Sequence, residues 1–334
     1  MTRTNSGNPY FSIVIPAFNR ETEIVRALDS CLNQSFQNIE VLVVDDASTD
    51  NTAAVVADIP DARLRLIRHP VNRNVCPARN TGSANSRGEW VVFLDSDDVL
   101  APGALQTMWK YARVCPEEIG QLGFLLERDD GRISPEPLPQ ECLLDYTGFM
   151  AFCEGLILTD WMQCTRRSTF EFVKFPDSRA YESLYLLDFT HKFKIHLVPE
   201  ITGLVHMDSV NRISAAGAKQ EAEKITRDAP DHLAAFDRLL ARHGKALAIH
   251  GPRRYQLYRK MQLLAAFFFV MRWRGGRLGM SYLLSYPGDV SGWAITLAGL
   301  AGPQTLTQIR LMKQQLANMA AKYSLRSKTT GGGA

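Results

Sequence analysis

The sequence has few cysteines, and their spacing favours neither disulfides nor zinc. Its 334 residues include six cysteines, none of them in a CxxC pair. A disulfide-rich secreted domain and a zinc site of the common types are therefore disfavoured, and reduced thiols in a cytosolic protein are expected. The opening MTRTNSGNPY lacks the apolar core of a signal peptide. The closing TTGGGA predicts a disordered tail over residues 326–334.

Long apolar runs are also missing. The run from Leu263 to Met271 is nine residues long and is surrounded by seven Lys/Arg, whereas a membrane-spanning helix needs about 20 residues. The next apolar segment, MSYLLSYPGDVSGWAITLAGLAG, is interrupted by Pro287, Gly288 and Asp289. A transmembrane hairpin is thus the weakest of the possible interpretations of this region.

Acidic residues almost disappear from Arg238 onward, where 15 Lys/Arg face one acid. The rest of the chain holds 23 basic and 34 acidic residues, so the two regions are expected to have different partners. Residues 228–325 read as helical, and QTLTQIRLMKQQLANMAAKY is amphipathic. One interpretation is a peripheral platform on an anionic membrane surface; the other is a helical region packed on the rest of the protein. Nucleic acid is not expected, because the basic segments are rich in apolar residues and carry no known binding motif.

The first part of the chain alternates between strand and helix patterns. FSIVIPAFN, IEVLVVDD, LRLIRH and EWVVFLDSDD read as strands, and TEIVRALDSCLNQ, NTAAVVADI, PARNTGSANSRG and PGALQTMWKYAR read as helices between and after them. Such alternation predicts α/β units around a mostly parallel, Rossmann-like sheet. In these sheets, ligands bind at the carboxyl ends of the strands.

Four aspartates follow predicted strands and should meet at one edge of the sheet: Asp45, Asp46, Asp95 and Asp97. Crowded carboxylates repel one another, and a divalent cation offsets that cost. The DxD spacing of Asp95-Ser96-Asp97 directs both carboxylates the same way along an extended chain. Oxygen ligands favour Mg²⁺ or Mn²⁺, which usually also bind substrate phosphates. The alternative is that these aspartates only cap the helices that follow.

Two segments, together with the spacing between them, resemble family 2 glycosyltransferases of the GT-A fold: SIVIPAFNRETEIVRALDSCLNQSFQNIEVLVVDDASTDNT and ARNTGSANSRGEWVVFLDSDD. The resemblance is dense over about residues 10–110 and thin to about 214. It implies an inverting transfer of a sugar from a nucleotide diphosphate sugar. A nucleotidyltransferase is a poorer match, since PAFNRETE is neither glycine-rich nor lysine-bearing.

The resemblance also implies roles for individual residues. Pro16, Ala17 and Asn19 would line the nucleotide pocket, and Asp46 would accept a hydrogen bond from the base, which weakly disfavours cytidine. Arg79 would face the diphosphate or the base. Asp95, Ser96 and Asp97 would meet the ribose and the metal. A metal at Asp97 and the guanidinium of Arg79 would stabilise the charge that develops on the leaving diphosphate.

The general base of the family is the second acid of a Glu-Asp pair that opens a helix. The matching position reads Tyr181-Glu182, so the pattern is altered and the base role passes to Glu182. Asp188 is a weaker candidate. The altered pair also leaves open a non-catalytic subunit that binds nucleotide sugars or assists assembly at a membrane.

The family pattern implies further contacts beyond the DxD. His206 would reach the metal or the diphosphate, although a lone histidine is more often structural. Arg212 and Ser214 would cover the diphosphate as a mobile loop. Trp161 is either a platform on which an acceptor sugar stacks or a core residue.

The sequence thus predicts two domains, a GT-A domain over residues 8–215 and a helical region over 228–325. The expected enzyme is a metal-dependent inverting hexosyltransferase that uses a UDP-sugar and builds a surface polysaccharide or a lipid-linked glycan. It is expected in the cytoplasm, peripheral on the inner face of the cell membrane. The sequence does not indicate the sugar, the acceptor or the oligomeric state.

Overall fold

The computed structural model describes residues 7–136, 138–154, 160–177, 182–208, 218–269, 271–302 and 305–306, and for 182–183 and 218–227 it describes the backbone alone. The chain forms two compact units. Unit 1 is Met1–Ser209 with His243–Arg254, and unit 2 is Val210–Arg242 with Tyr255–Ala334. The ranges predicted from the sequence, 8–215 and 228–325, stay predictions of functional domains.

Unit 1 contains a ten-stranded sheet within the described residues. Its strands are β1 (Phe11–Ala17), β2 (Ile39–Asp45), β3 (Leu64–Arg68), β4 (Trp90–Phe93), β5 (Val99–Leu100), β6 (Ile119–Arg128), β7 (Ile133–Ser134), β8 (Cys142–Leu144), β9 (Met162–Arg166) and β10 (Lys194–Val205). The order is β3-β2-β1-β4-β9-β6-β10-β5, with β7 on β6 and β8 on β10. No disulfide joins the six cysteines, all of which lie in the described part of the chain.

The helices are α1 (Glu23–Leu32), α2 (Thr52–Ala57), α3 (Val75–Asn85), α4 (Ala104–Ala112), α5 (Tyr146–Glu154), α6 (Glu182–Thr190), α7 (Ala218–His250), α8 (Pro252–Phe268), α9 (Arg272–Ser285) and α10 (Val290–Ala301). A 3₁₀ helix covers Arg167–Glu171. The predicted α/β fold with a central sheet and a helical C-terminal region is confirmed. Among the described residues the sheet is mixed, with four parallel and five antiparallel strand pairings.

The four strands predicted from the sequence form the parallel half of the sheet. β1 pairs in parallel with β2 on one side and with β4 on the other. Every residue of β1, β2 and β4 is buried, as expected for strands covered on both faces. After β1 the chain continues to β2 and β3 on one side of β1, whereas β4 lies on the other side of β1. The topological switch point of the sheet is therefore between β1 and β4. This is the edge where the aspartates were expected.

Gly88 and Gly244 each come at the end of a helical pattern in the sequence, but neither ends a helix in the structure. Gly88 lies beyond the end of α3, and a Cβ there would come within 2.6 Å of the Ser12 backbone nitrogen, so glycine permits a close approach to β1. Helix α7 passes through Gly244 and ends at His250. Burial of His243 and Leu247 outweighs the cost of about 1 kcal/mol that glycine imposes inside a helix.

Unit 2 has an apolar core of its own. It includes Leu263, Phe267 and Phe268 of α8, packed with Ala229 and Ala298. The nine-residue apolar run noted in the sequence therefore contributes to this core. Within the described residues, every helix is too short or too polar to cross a bilayer.

Candidate functional site

The loops that follow β1 and β2 hold each other in place. Asn19 and Ala47 both adopt positive φ, at 53° and 62°. The Asn19 backbone N–H donates to Ser48 Oγ at 2.9 Å, and the Asn19 side-chain oxygen accepts from the Thr49 backbone at 2.9 Å. The strand-end loops are thus preorganised, and Asn19 is one of the residues that fixes them.

Pro16 and Ala17 end β1 and are buried in register with Val44 and Asp45. The Ala17 carbonyl accepts a hydrogen bond from the Asp46 N–H at 2.8 Å. A nucleotide would therefore contact Pro16 or Ala17 through the backbone or beneath the side chains that cluster at the strand ends.

Asp46 is placed at the predicted edge, but its carboxylate is engaged by the protein. His69 Nδ1 lies 2.7 Å from one oxygen, and the backbone N–H groups of Arg73 and Asn74 donate at 2.6–3.0 Å. The side chain is 4% exposed. Its role in the structure is to fix residues 73–74 beside the strand ends, and a contact with the base stays a prediction.

Asp95 and Arg79 form an ion pair at the switch point. Arg79 Nη2 donates to Asp95 Oδ1 at 3.0 Å, with the arginine side chain 10% exposed and the carboxylate 52% exposed. The guanidinium carbon also lies 5.5 Å from the centroid of Phe93 and 5.6 Å from that of Phe175. Arg79 is thus a buried, fixed cation beside an accessible carboxylate, and its contact with a diphosphate or a base stays a prediction.

Asp97 is more buried and lies beside a second arginine. Its side chain is 13% exposed, and Arg20 Nη2 lies 3.9 Å from Asp97 Oδ2. Arg26 donates to the Asp97 carbonyl at 2.7 Å and to Asp208 at 2.8 Å, and its guanidinium lowers the pKa of Asp208 to about 2. Ser96, between the two aspartates, is buried.

Arg20 was missed in the sequence. It comes directly after Asn19 at the end of β1, donates to the Asn19 carbonyl at 3.1 Å, and is 9% exposed. The available signal was its position, because a basic residue at the end of the central strand must lie near the acids that end its neighbours.

The strand-end carboxylates fit a cation that is shared with a substrate. Within the described residues, no three His, Cys, Asp or Glu side chains cluster as a metal site. Mg²⁺ and Mn²⁺ sites that serve phosphate substrates often use only one or two carboxylates and complete the shell with phosphate and water. Asp95 and Asp97 supply that donor set, and the two arginines supply the matching positive charge for a diphosphate.

His206 occupies a hydrogen-bonded position near the DxD segment. Its Nδ1 lies 3.0 Å from Asp129 Oδ1, and its backbone N–H donates to Asp98 Oδ1 at 3.2 Å. The imidazole is partly exposed. Asp129 is therefore its partner in this structure, and a metal or diphosphate contact stays a prediction.

Glu182 is the first residue of α6, so the predicted start of the helix at this acid is present in the backbone. Its side chain, Arg212 and Ser214 lie outside the described part of the structure. Asp188, the weaker candidate, lies 3.0 Å from His243 Nε2, and His243 Nδ1 lies 2.7 Å from the Tyr146 hydroxyl. Asp188 thus has a structural partner.

Trp161 precedes β9 and lies in the core of unit 1. It is 5% exposed, and its Nε1–H donates to Gln121 at 3.0 Å. Its ring packs edge-on against Phe149, and a Cβ on Gly123 would come within 2.7 Å of it. These contacts fit the core alternative, and an acceptor sugar would stack on this ring only after a side-chain rearrangement.

Comparison with known proteins identifies the part of the chain that carries these strand ends. Residues 12–130 match the model of glycosyl transferase family 2. Over these residues the chain is similar to family 2 glycosyltransferases. The resemblance seen in the sequence is confirmed, and Arg20, Asp46, Arg79, Asp95 and Asp97 all lie within the matched residues.

Characterised and uncharacterised glycosyltransferases are among its relatives. The chain is 42% identical over 124 residues to the succinoglycan biosynthesis protein ExoO of Rhizobium meliloti, which is 37% of this chain and 36% of that protein. It is 34% identical over 132 residues to the GalNAc(5)-diNAcBac-PP-undecaprenol beta-1,3-glucosyltransferase of Campylobacter jejuni, which is 38% of this chain and 42% of that protein. The aligned part therefore spans well under half the length of either relative.

Solved structures share the fold over most of the chain. The S. aureus TarS 1–349 structure in complex with UDP-GlcNAc has a TM-score of 0.56 at 18% identity and covers 91% of both chains. The mannosyltransferase PcManGT from Pyrobaculum calidifontis, in complex with GDP-Man and Mn²⁺, has a TM-score of 0.52 at 19% identity and covers 90% of this chain and 87% of that one. At these identities the likeness establishes the GT-A fold alone.

Proposed function

We propose that this protein is an inverting glycosyltransferase that moves a sugar from a UDP-sugar to a hydroxyl group of a saccharide or lipid-linked saccharide. The observation that carries the proposal is the convergence of two carboxylates and two buried arginines at the switch point between β1 and β4. Asp95 with Arg79 and Asp97 with Arg20 come from segments that are far apart in sequence. A strand-end cluster of this composition is suited to a nucleoside diphosphate.

In the proposed reaction the acceptor oxygen attacks the anomeric carbon as the bond from that carbon to the diphosphate oxygen breaks. Glu182 takes the proton of the acceptor hydroxyl, and the nucleoside diphosphate leaves with the bonding electrons. Arg79 and Arg20 stabilise the negative charge that grows on the leaving oxygen. Asp95 and Asp97 would hold Mn²⁺ or Mg²⁺, which supplies further charge stabilisation when bound.

The acceptor class is supported by relatives rather than by a pocket. One relative is named as acting on an undecaprenol-linked saccharide, and another as a succinoglycan biosynthesis protein. We therefore propose a role in surface polysaccharide or glycan synthesis at the cytoplasmic face of the cell membrane. UDP is the proposed nucleotide, since TarS binds UDP-GlcNAc.

A thermal-shift screen of UDP-, GDP- and dTDP-sugars with and without Mn²⁺, followed by a donor-hydrolysis assay, tests this function. We expect a Mn²⁺-dependent stabilisation by a UDP-sugar, and Asp97→Asn should abolish it. Hydrolysis should fall at least ~100-fold, which corresponds to about 2.7 kcal/mol of lost transition-state stabilisation.

The matched control is Asp130→Asn, because Asp130 is an exposed turn residue paired with Arg132. It should leave both signals unchanged. If the wild-type protein with Mn²⁺ binds the donor but neither hydrolyses nor transfers it, the result would instead favour a role as a non-catalytic subunit.

A further inference from the structure

Helices α9 and α10 expose large apolar side chains in unit 2. On α9, Trp273 is 95% exposed and Leu284 is 77% exposed; on α10, Val290 is 80% exposed and Leu297 is 61% exposed. Met280, Trp293 and Leu300 are also exposed. We call these seven residues the apolar face. Contiguous apolar surface of this kind usually marks an interaction site.

Helical spacing puts these side chains on one stripe of each helix. Trp273, Met280 and Leu284 are separated by seven and four residues, and Val290, Trp293, Leu297 and Leu300 by three, four and three. The opposite sides are buried through glycines. A Cβ on Gly279 would come within 2.6 Å of Thr296, and a Cβ on Gly292 within 2.5 Å of Tyr282. The glycine contacts therefore fix which side of each helix is turned outward.

The two stripes meet at one end of the helix pair. A Cβ built on Gly276, one turn after Trp273 on α9, would lie 3.3 Å from Leu300 Cδ2 on α10. Leu300 is thus next to the stripe of α9. The exposed residues are also separate from those that form the core of unit 2, which include Leu263, Phe267 and Phe268. The apolar face is consequently not required for the internal packing of the unit.

The charge around the apolar face is positive. Arg272 and Arg277 are exposed on α9, and within the described residues neither has an ion pair. The acid nearest in sequence, Asp289, is 13% exposed and is bound by Lys260 at 2.7 Å and by the Tyr282 hydroxyl at 2.5 Å. Its negative charge is therefore neutralised inside the unit. An apolar surface with tryptophans and unpaired arginines is complementary to an anionic lipid bilayer.

We propose that the apolar face docks on an anionic membrane surface, with Trp273 and Trp293 at the level of the headgroups and Arg272 and Arg277 on lipid phosphates. The interaction does not depend on sugar transfer, because it uses no residue of the strand-end cluster. It would keep the enzyme on the surface where a lipid-linked acceptor is found.

Flotation of the full-length protein with vesicles tests the apolar part of the proposal. Binding to vesicles of equal parts phosphatidylglycerol and phosphatidylcholine should be at least ~10-fold stronger than binding to phosphatidylcholine alone. Trp273→Glu and Leu297→Glu should each reduce binding to the mixed vesicles at least ~10-fold. The matched control is Ile249→Glu, a helical apolar residue of unit 1 that is 74% exposed, and it should bind as wild type.

The charged part is tested by Arg277→Glu, with Lys245→Glu on α7 as the control of equal charge change. Arg277→Glu should weaken binding several-fold and Lys245→Glu much less. UDP-sugar hydrolysis and the melting temperature should be unchanged in all five variants, which separates this proposal from the proposed function.

Three outcomes would overturn the proposal. The first is equal binding to both vesicle types. The second is an equal loss in Trp273→Glu and Ile249→Glu. The third is a wild-type dimer in analytical ultracentrifugation that Trp273→Glu dissociates while vesicle binding is kept, since the face would then be an interface between copies.

Discussion

At the scale of single residues, Glu182→Gln is the sharpest test of the proposed chemistry. Glutamine keeps the size of the side chain but cannot accept the proton of the acceptor hydroxyl, so transfer should fall at least ~100-fold. The melting-temperature shift produced by the donor should be retained, because the donor is held at the strand ends. Both are measured on the same preparation, as transfer rate and as thermal shift.

Asp188→Asn is the matched control for Glu182→Gln, since Asp188 lies on the same helix. Its carboxylate is held by His243, so the substitution should lower stability and leave the transfer rate of the folded enzyme within a few-fold of wild type. Full turnover by Glu182→Gln, or an equal loss of transfer in Asp188→Asn, would reassign the base.

The positions of the acids could be predicted from the sequence, but their partners could not. Parallel strands bring their carboxyl ends to one edge whatever side chains follow, which is why Asp95 and Asp97 were expected together. That Asp95 pairs with Arg79, and that Asp97 lies beside Arg20, depends on how each side chain packs. Trp161 could not be assigned to the core in advance, because its hydrogen-bond partner, Gln121, is 40 residues away.

At the scale of elements, Glu40 joins β2 to β1, β3 and the end of α3. Its carboxylate is 1% exposed and accepts hydrogen bonds from Ser12, Arg65 and Arg87. Burial raises the pKa of Glu40, but the hydrogen bonds from Ser12 and Arg87 outweigh it and hold the pKa below its ordinary value. The group is therefore charged in the folded protein.

Glu40→Gln should consequently destabilise the protein by about 1.5–3 kcal/mol at neutral pH, the range for hydrogen bonds to a charged group. A lowered folded-state pKa contributes stability above the unfolded pKa and loses it as pH falls through the folded value. The difference between wild type and Glu40→Gln in urea denaturation should thus shrink below about pH 4. A difference that stays constant from pH 7 to pH 3 would contradict this. The exposed Glu117→Gln should stay within about 0.5 kcal/mol of wild type throughout.

Helices and strands were predicted well where the apolar pattern is clear, as in the helical spacing of α1 and the nearly continuous apolar run of β2. Helix ends were predicted less well, since Gly244 reads as a stop signal but lies inside α7. The stop is overridden by the burial of His243, whose partners Asp188 and Tyr146 are more than 50 residues away. Tertiary contacts of this kind override the local sequence signal for a helix end. A short window of sequence does not contain both partners of such a contact.

At the scale of the whole molecule, the change in charge near Arg238 predicted that the chain is divided into two regions. It did not predict that a single helix would contain residues of both units. Helix α7 begins in unit 2, and its last residues belong to unit 1. His243 binds groups on α5 and α6 of unit 1, whereas Asp237, on the same helix, binds Gln262 and Arg274 of unit 2. Substitutions only six residues apart should therefore act on different units.

Amide hydrogen exchange on the full-length protein measures this directly. His243→Ala removes a buried bridge, so exchange should rise in α5 and α6 and stay unchanged in α9 and α10. Asp237→Ala should do the reverse, with faster exchange in α8 and α9 and wild-type exchange in α5 and α6. Because the two substitutions lie on one helix, they control for each other. Faster exchange across both units in either variant would show that the units open together, and the division of α7 between them would then not describe how the protein unfolds.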